Sequence, residues 1–338
     1  MKKSLPFLLL LLVFASGSFA QQKPQYTQYI LNNYILNPAL SGIENYTDVK
    51  MSVRDQWVGL NGAPKTIYFS AHGPIGKKDY KTSATSFNVP GQNPRGDAYW
   101  ENYEASEAHH GIGISLTKDQ TGLYSHFNAD ISYAYHLGIS PRTNIAAGFS
   151  AGINKVGYDR SKANPADPND PALSSAGDLY KIAPDLNAGI WVYSADYFVG
   201  LAAQQIIPQQ VSFSTAAPGI KLLPHLFGTF GYRFLLNEDI NATPSVMIKY
   251  VPGTSVPAQF DLNVKVQYRD LLWVGASYRV EDGYAAMLGA NVGNTFNIGY
   301  SYDLTITDLN TVSRGTHEFI IGVLIGNRYS SKCPANNW

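Results

Sequence analysis

Long stretches in which apolar and polar residues alternate constrain the fold of this chain more than any other feature. Over 127–137 every odd position is apolar or aromatic, whereas the even positions include Asn128 and Asp130. Successive side chains of a β-strand point to opposite faces, so this stretch predicts a strand with one apolar and one polar face. The pattern returns over 259–268 and 296–304. These lengths match the roughly 9–11 residues that a tilted strand needs to cross a membrane.

Strands of this kind recur along the whole chain after its first fifty residues. An even number of them is expected for a bacterial outer-membrane barrel, in which short periplasmic turns alternate with longer external loops. Short and long links alternate here from the fourth strand onward, except that Glu281-Asp282 is a tight turn where a long link is due. We therefore predict an all-β transmembrane antiparallel barrel of about fourteen strands. They are 48–57, 65–74, 110–118, 124–137, 143–157, 182–194, 196–204, 226–235, 241–251, 258–268, 271–280, 283–291, 293–304 and 315–326.

One link does not fit the alternation. Residues 75–109 are polar and contain Gly, Pro and Ser, yet the strand parity places them at the end of the barrel where the tight turns lie. Either they form a periplasmic excursion within a barrel of 48–338, or the strand count is wrong by one at this point.

Composition supports a membrane barrel and excludes several other classes. Charged residues make up 15% of the 338 residues, against about 25% in an average soluble domain. The chain also has 23 Tyr, a residue that favours membrane interfaces. Lys and Arg together number 25, as do Asp and Glu, so nothing supplies the basic surface of a nucleic-acid binder. A single Cys leaves no intrachain disulfide. A soluble β-sandwich or propeller also alternates, but strand length, scarce charge and abundant Tyr and Trp favour the barrel.

The first twenty residues have the features of a secretory signal peptide. Lys2 and Lys3 precede an apolar run over 5–14, and Ser18-Phe19-Ala20 supplies the small residues of a cleavage site. We expect removal of 1–20 and a mature chain that starts near Gln21. An uncleaved N-terminal anchor is the less favoured alternative, because the run is short and wrongly flanked for a spanning helix.

Signals of catalysis or metal binding are weak. His109 and His110 are adjacent, and neighbours on an extended chain point apart, so we interpret them as two solvated loop imidazoles. The loop 164–171 is rich in Asn and Asp, but its spacing matches no calcium-binding EF-hand, which favours an ordinary solvated loop. His317 beside Glu318 would need a nucleophile in a geometry that no spacing reveals. We therefore predict no enzyme activity and no cofactor.

Several motifs occur in a distinctive order over the mature chain. Gln25-Tyr-Thr-Gln-Tyr29 leads to Leu36-Asn-Pro-Ala39 and Gly42, then to Arg54-Asp-Gln-Trp-Val-Gly59 and Gly62-Ala-Pro64; Tyr300-Ser-Tyr-Asp303 and Gly315-Thr-His-Glu318 follow near the end. This set resembles the PorP/SprF family of Bacteroidetes outer-membrane proteins, associated with the type IX secretion system and gliding motility. The motif residues that we treat as candidates for a partner site or a lumen network are Gln28, Asn37, Pro38, Gly42, Arg54, Gln56, Trp57, Gly59, Gly62, Pro64, Tyr300, Tyr302, Asp303, His317 and Glu318.

The resemblance implies a barrel of the fourteen-stranded type in the cell outer membrane, without catalysis or a cofactor. It also implies that 75–109 is an insertion, because this stretch is longer than the short link of the family. It implies a role in secretion or surface anchoring of cargo proteins that carry a C-terminal sorting domain, such as gliding adhesins. The implied partners are outer-membrane lipid, that cargo and other proteins of the secretion or gliding machinery, with cargo specificity in the external loops 158–181 and 205–225. A diffusion channel or a transporter of hydrophobic substrates would suit the same strand count.

The motif residues themselves allow two further predictions. Apolar positions within Tyr29–Leu36 suggest one short helix in the N-terminal segment 21–47, which either plugs the lumen or forms an exposed arm. Arg54 in a lumen would need a carboxylate partner, because an unpaired buried charge is costly. Closure of the last strand against the first makes Asp303 and Glu318 the candidates.

Overall fold

The alternating stretches form antiparallel strands that close into a barrel in the computed structural model of the chain. Within the ranges described, no helix is long and apolar enough to cross a membrane. The predicted signal peptide, the 164–171 loop and most of the predicted insertion lie outside the described residues. The structure describes residues 23–77, 103–159, 179–211, 220–237, 239–269, 271–293 and 295–326.

Fourteen strands close the barrel, which confirms the predicted number. Each pairs with its neighbours along the chain. The first strand, β1 (Thr47–Asp55), pairs with the last, β17 (Thr316–Ile325), at the seam, and β10 (His225–Tyr232) pairs with both β7 (Tyr197–Gln204) and β12 (Ile240–Tyr250). Two segments, β10 and β11, are one strand interrupted at Arg233. The barrel strands are β1 Thr47–Asp55, β2 Lys65–Ile75, β3 His109–Thr121, β4 Tyr124–Ser140, β5 Thr143–Tyr158, β6 Leu179–Tyr193, β7 Tyr197–Gln204, β10 His225–Tyr232, β11 Phe234–Asn237, β12 Ile240–Tyr250, β13 Gln259–Tyr268, β14 Leu272–Arg279, β15 Gly283–Val292, β16 Phe296–Thr305 and β17 Thr316–Ile325.

Two short strands were not predicted. β8 (Gln209–Val211) and β9 (Ile220–Leu222) pair only with each other, in the link between β7 and β10. Three-residue strands carry too little alternation to be recognised in a sequence.

The long link between β2 and β3 leaves the strand count intact. Ile75 at the end of β2 pairs with His110 at the start of β3, so the two strands are direct neighbours. The described ends of the link, Ile75 and His109, therefore lie at the end of the barrel that carries the tight turns. Residues 78–102 within it lie outside the described part of the chain.

The two faces of each strand differ in chemistry as the alternation predicts. In β1, Lys50, Ser52 and Arg54 are buried and face the lumen, whereas the intervening side chain of Met51 is half exposed. In β4, Ile131 on the outer face is 69% exposed. A polar interior surrounded by an apolar outer band is the arrangement of an outer-membrane barrel.

The N-terminal segment lies among the inward-facing side chains. Thr27 contacts Glu318 of β17, and the Tyr29 hydroxyl accepts a hydrogen bond from Asn263 of β13 at 2.6 Å. Further along, the Tyr34 hydroxyl lies 2.7 Å from Ser132 Oγ of β4. The segment thus runs from the end with the longer links towards the end with the tight turns, where β1 begins.

This segment does not form the single helix predicted over Tyr29–Leu36. It has short 3₁₀ helices at Gln28–Leu31, Asn33–Ile35 and Pro38–Leu40 instead. Asn32 interrupts the first two with a non-helical backbone, φ −145° and ψ 65°, and its side chain donates to Ser70 Oγ of β2 at 2.9 Å. Contacts with the barrel wall, which the sequence pattern does not contain, therefore override the local helical periodicity.

Candidate functional site

A buried ion-pair network joins the N-terminal segment to the barrel seam. Arg54 Nη2 lies 2.7 Å from Asp303 Oδ2, and Arg54 Nη1 lies 3.0 Å from Glu318 Oε2. Register explains the meeting, because Arg54 of β1 is paired directly with Glu318 of β17. Asp303 and Glu318, the two carboxylates predicted as alternative partners of Arg54, therefore both pair with it.

Thr27 completes this network, and the sequence patterns did not single it out. Its hydroxyl donates to Asp303 Oδ2 at 2.6 Å and accepts from Arg54 Nη1 at 3.0 Å, while its backbone N–H donates to Glu318 Oε2 at 2.8 Å. The N–H of Gln28 lies 3.3 Å from the same oxygen. Charge-assisted hydrogen bonds of this kind are stronger than neutral ones, so the network fixes the start of the segment to the wall.

The motif residues between β1 and β2 form a link beside this network. Trp57 has a positive φ of 47°, and its N–H donates to Thr316 Oγ1 at 3.1 Å. The N–H of Gln56 donates to the carbonyl of Pro64 at 2.9 Å, which closes the link. Gly59 and Gly62 have φ values of 102° and 75°, a region that glycine adopts without steric cost.

Asn37, Pro38 and Gly42 lie elsewhere in the lumen, against other strands. The Asn37 side chain caps the third 3₁₀ helix by accepting from Ala39 N at 2.9 Å, and it donates to the carbonyls of Ile190 and Leu201. Gly42 has a φ of 75° and packs directly on Gly111 of β3. The motif residues thus lie partly at the barrel seam and partly along the N-terminal segment, and they do not converge on one point.

Three buried histidines hold the end of the segment near the tight turns. His136 Nε2 donates to the Ser41 carbonyl at 2.8 Å, and His109 Nε2 lies 3.1 Å from the Gly42 carbonyl. His72 Nδ1 accepts from the Gly42 N–H at 3.3 Å. The prediction of two solvated loop imidazoles at 109–110 was therefore wrong. His109 is 2% exposed at the start of β3. His110 is exposed but lies in the same strand, with its Nδ1 2.6 Å from the Tyr133 hydroxyl.

Tyr300, Tyr302 and His317 form a separate group on the outer face of the wall. The Tyr300 hydroxyl and His317 Nδ1 lie 2.7 Å apart, and the rings of Tyr302 and His317 are in contact. Glu318 points into the lumen, so it cannot orient the neighbouring His317. The arrangement considered for a hydrolase is thus not formed by these two side chains. Among the described residues, no group of three or more His, Cys, Asp or Glu could hold a metal ion.

A cavity of about 310 Å³ lies in the lumen beside the N-terminal segment. Thr121, Tyr124 and Leu222 line it at the end of the barrel with the longer links. Lys23 also lines it and donates to Gln204 Oε1 at 3.0 Å. This cavity was not predicted, because its walls come from strands far apart in the sequence.

Comparison with known families decides what kind of barrel this is. Residues 18–323 match the family described as Type IX secretion system membrane protein PorP/SprF. The chain belongs to the PorP/SprF family. The resemblance drawn from the motifs is thereby confirmed, and the family and the fold together identify a secretion-system membrane barrel. No curated protein matches the chain.

Solved structures of other barrels match the chain at low sequence identity and with TM-scores below 0.5. The toluene transporter TbuX of Ralstonia pickettii has 10% identity and a TM-score of 0.46, with 86% of this chain and 92% of that chain covered. The CymD monoaromatic hydrocarbon channel has 10% identity and a TM-score of 0.47, with 90% and 94% covered. The translocator domain of the autotransporter NalP from Neisseria meningitidis has 8% identity and a TM-score of 0.37, with 82% and 87% covered.

Proposed function

We propose that this PorP/SprF protein is a non-enzymatic outer-membrane component of the type IX secretion system. It supports the secretion or the cell-surface anchoring of proteins with a C-terminal sorting domain, as gliding adhesins are. Its partners are outer-membrane lipid, that cargo and other proteins of the secretion or gliding machinery, and it needs no cofactor. It reaches the outer membrane through the general export route, after cleavage of its N-terminal signal peptide.

The observation that carries this proposal is the N-terminal segment inside the barrel. Arg54, Asp303 and Glu318 fix Thr27 at one end of it, and Asn37 and the histidine group fix it further along. Eleven side chains that include Tyr29, Leu36 and Trp273 form a buried apolar cluster between segment and wall. We infer that a segment held in this way plugs the lumen. A plugged barrel favours a role in docking partner proteins over a role as an open pore.

Surface display of cargo tests the proposal. Cells carrying Arg54→Ala or Trp57→Ala should lose surface-exposed proteins with a C-terminal sorting domain, measured by protease shaving of intact cells and mass spectrometry. Arg269→Ala is the matched control, because Arg269 is exposed in a turn and pairs only with Asp239 among the described residues. Barrel insertion is checked by heat-modifiable migration of the outer-membrane fraction.

Two results would contradict the proposal at different levels. Unchanged display in a strain that lacks the protein would overturn the secretion role. If the deletion strain loses surface display of the cargo but both variants keep it, the assignment of Arg54 and Trp57 to the function would be overturned.

A channel or a transporter of hydrophobic substrates is the second candidate, and the cavity in the lumen favours it. Planar-bilayer recordings separate the two functions. A stable open conductance of the purified protein would support transport, whereas a silent barrel would support docking. A transporter of hydrophobic substrates could be silent in these recordings. Uptake of a hydrophobic probe such as toluene into vesicles that contain the protein tests that case.

A further inference from the structure

The wall of the barrel has a step beside β6, at the end with the longer links. On one side, β5 pairs with β6 over its whole length, from Tyr193 back to Leu179. On the other side, β7 pairs with β6 only over 188–193. Among the described residues, no strand therefore pairs with this second side of β6 over 179–187.

The step arises because the chain leaves the wall at the end of β7. Gln205 has a φ of 52°, which is uncommon for a residue with a side chain, and its N–H donates to Asn187 Oδ1 at 2.9 Å. The chain then continues into the β8–β9 hairpin, whose Val211 and Leu222 pack with Ala183 on the inner face of β6. The described part of the hairpin thus covers the lumen side of β6 and not its edge.

Two hydrogen bonds show which backbone groups of β6 point to this edge. The carbonyl of Leu186 accepts from the N–H of Ile206 at 3.0 Å, and the carbonyl of Pro184 accepts from the Gln209 side chain at 2.8 Å. Both donors belong to the chain that follows β7. The even-numbered residues of β6 therefore direct their backbone groups away from β5, because alternate residues of an antiparallel strand share one direction.

The N–H and carbonyl groups of Tyr180 and Ile182 consequently form an open sheet edge. Within the described part of the chain, none of these four groups has a hydrogen-bond partner. β6 has 15 residues, and roughly 9–11 cross a membrane. Counted from Tyr193 at the end with the tight turns, this leaves Tyr180 and Ile182 beyond the hydrocarbon layer. Their side chains face outward and are 57% and 59% exposed.

An open edge of this kind fits one class of occupant, an extended polypeptide segment. Its donors and acceptors repeat at the spacing of a β-strand, and an added strand satisfies them with its own main chain. A lipid, a sugar or an ion does not supply that repeat. The apolar side chains of Tyr180 and Ile182 beside the edge favour a segment that is apolar on its outward face.

A second copy of this chain is a poor occupant of the same edge. Two copies related by a two-fold axis would pair antiparallel and bring the two Lys181 side chains, which lie between the edge residues, opposite each other. Lys155, with its ammonium 4.3 Å from the centre of the Tyr180 ring, adds a further positive charge on each side. Like charges that face each other destabilise a strand pair, so a different protein fits better.

We propose that this edge of β6 binds an extended segment of the secreted cargo by strand addition. The segment continues the line of β7 beyond Gln205, pairs with Tyr180 and Ile182, and places apolar side chains beside theirs. The inference rests on the proposed function, because exported cargo is the partner that meets the external end of the barrel.

Amide hydrogen exchange of the purified full-length protein tests whether the edge is open. Mass spectrometry with electron-transfer fragmentation resolves single amides. Those of Tyr180 and Ile182 should exchange at least about tenfold faster than those of Lys181 and Ala183, which point to β5, because an unpaired amide exchanges without a local opening. This comparison needs no variant. Slow exchange of all four amides would mean that another part of the same chain fills the edge, and it would overturn the inference.

Surface display of cargo in cells tests the role of the edge. Ile182→Pro removes an N–H from the edge and places a ring there, as Pro184 already does on the same side of β6. Display measured by protease shaving should fall about tenfold, which corresponds to about 1.4 kcal/mol, near the upper value for one hydrogen bond. Ile182→Ser is the matched control, because it keeps the N–H, and it should display cargo close to the wild-type level. Both variants should keep the heat-modifiable migration of a folded barrel.

Crosslinking in living cells identifies the occupant. The photoreactive amino acid p-benzoylphenylalanine at position 180 should crosslink to one segment of a protein with a C-terminal sorting domain. At position 153 it should not, because Ile153 faces outward on β5, away from the edge, and is 45% exposed. Crosslinks from position 180 to a second copy of this chain, or equal cargo crosslinks from both positions, would overturn the inference.

The proposed function and the edge are judged by different strains. If the deletion strain loses display and Ile182→Pro keeps it, the edge is refuted and the proposed function stands. If the deletion strain keeps display, the proposed function is refuted, and with it cargo as the occupant of the edge.

Discussion

At the scale of single residues, the contrast between two arginines shows how burial decides the role of a charge. Arg54 is 3% exposed and bridges two carboxylates of the seam. Arg269 pairs with Asp239 in an exposed turn, where the hydrogen bonds from the guanidinium to that carboxylate raise the pKa of Arg269. Removing one partner from a buried pair leaves the others desolvated and uncompensated, whereas an exposed charge is hydrated and screened by solvent and salt.

We therefore expect Arg54→Ala to lower the free energy of unfolding by about 3–5 kcal/mol. Urea titration of the detergent-solubilised protein, followed by tryptophan fluorescence, measures this change. Arg269→Ala should leave the transition nearly where it is in the wild type. In the double variant Arg54→Met with Glu318→Gln, part of the loss should be recovered, because one of the two carboxylates that Arg54 leaves unpaired is neutralised. Equal midpoints for Arg54→Ala and Arg269→Ala would contradict the reading of the network.

The sequence predicted the ion-pair partners of Arg54 but not the part that Thr27 plays in the same network, and this difference has a physical reason. A buried charge needs a counter-charge, and closure of an antiparallel barrel brings its first and last strands together. These two rules select Asp303 and Glu318 without any coordinates. The hydroxyl of Thr27 reaches the same carboxylates only because the chain folds back along the lumen, which no local pattern encodes.

At the scale of elements, the strands owe their form to an alternation that is visible locally, whereas the N-terminal segment owes its form to contacts. Each barrel strand carries its own inward and outward faces in the sequence, so all fourteen were predicted. The 3₁₀ helices of the segment follow the wall instead, and the unexpected burial of His109 arises because the segment returns to β3 at Ser41 and Gly42. Such long-range packing determines the backbone conformation and the burial of side chains that sequence periodicity does not specify.

The outer face of β4 provides a test of the membrane assignment. Ile131 is 69% exposed near the middle of the strand. We expect Ile131→Lys to cost about 2–4 kcal/mol of folding free energy in lipid, the cost of a lysine at the midplane of a membrane barrel. Urea-dependent folding into phosphatidylcholine vesicles measures it. Lys155→Gln on the same face of β5 should not be destabilising, and a wild-type folding free energy for Ile131→Lys would place β4 outside the hydrocarbon layer.

The contact between β3 and the segment provides a second test at this scale. A Cβ on Gly111 would overlap the carbonyl oxygen of Ser41, whereas a Cβ on Gly228 would meet nothing closer than Leu201 Cδ2 at 3.8 Å. We expect Gly111→Ala to destabilise the protein by about 1–3 kcal/mol through overpacking. Gly228→Ala should be neutral or slightly stabilising, because alanine loses less backbone entropy on folding. Similar thermal transitions for the two variants would mean that the segment is not packed on β3.

At the scale of the whole molecule, the wall and the N-terminal segment form one body with two different kinds of attachment. The strands are joined by continuous backbone pairing around the barrel. The segment is held without strand pairing, by the Arg54 network at one end and by close packing of Ala39 against Gly148 and of Gly42 against Gly111 further along. Loosening these contacts should therefore release the segment without opening the wall.

The double variant Gly111→Ala with Gly148→Ala tests this division. A Cβ on Gly148 would lie 2.6 Å from Ala39 Cα, so both substitutions push the segment away from the wall. The purified wild type should be silent in planar bilayers, and the double variant should show intermittent conductance while it keeps the heat-modifiable migration of a folded barrel. Gly228→Ala controls for alanine in a strand and should stay silent. A segment displaced on its own should leave a water-filled path that conducts ions. A silent double variant with lowered stability would therefore show that segment and wall unfold together.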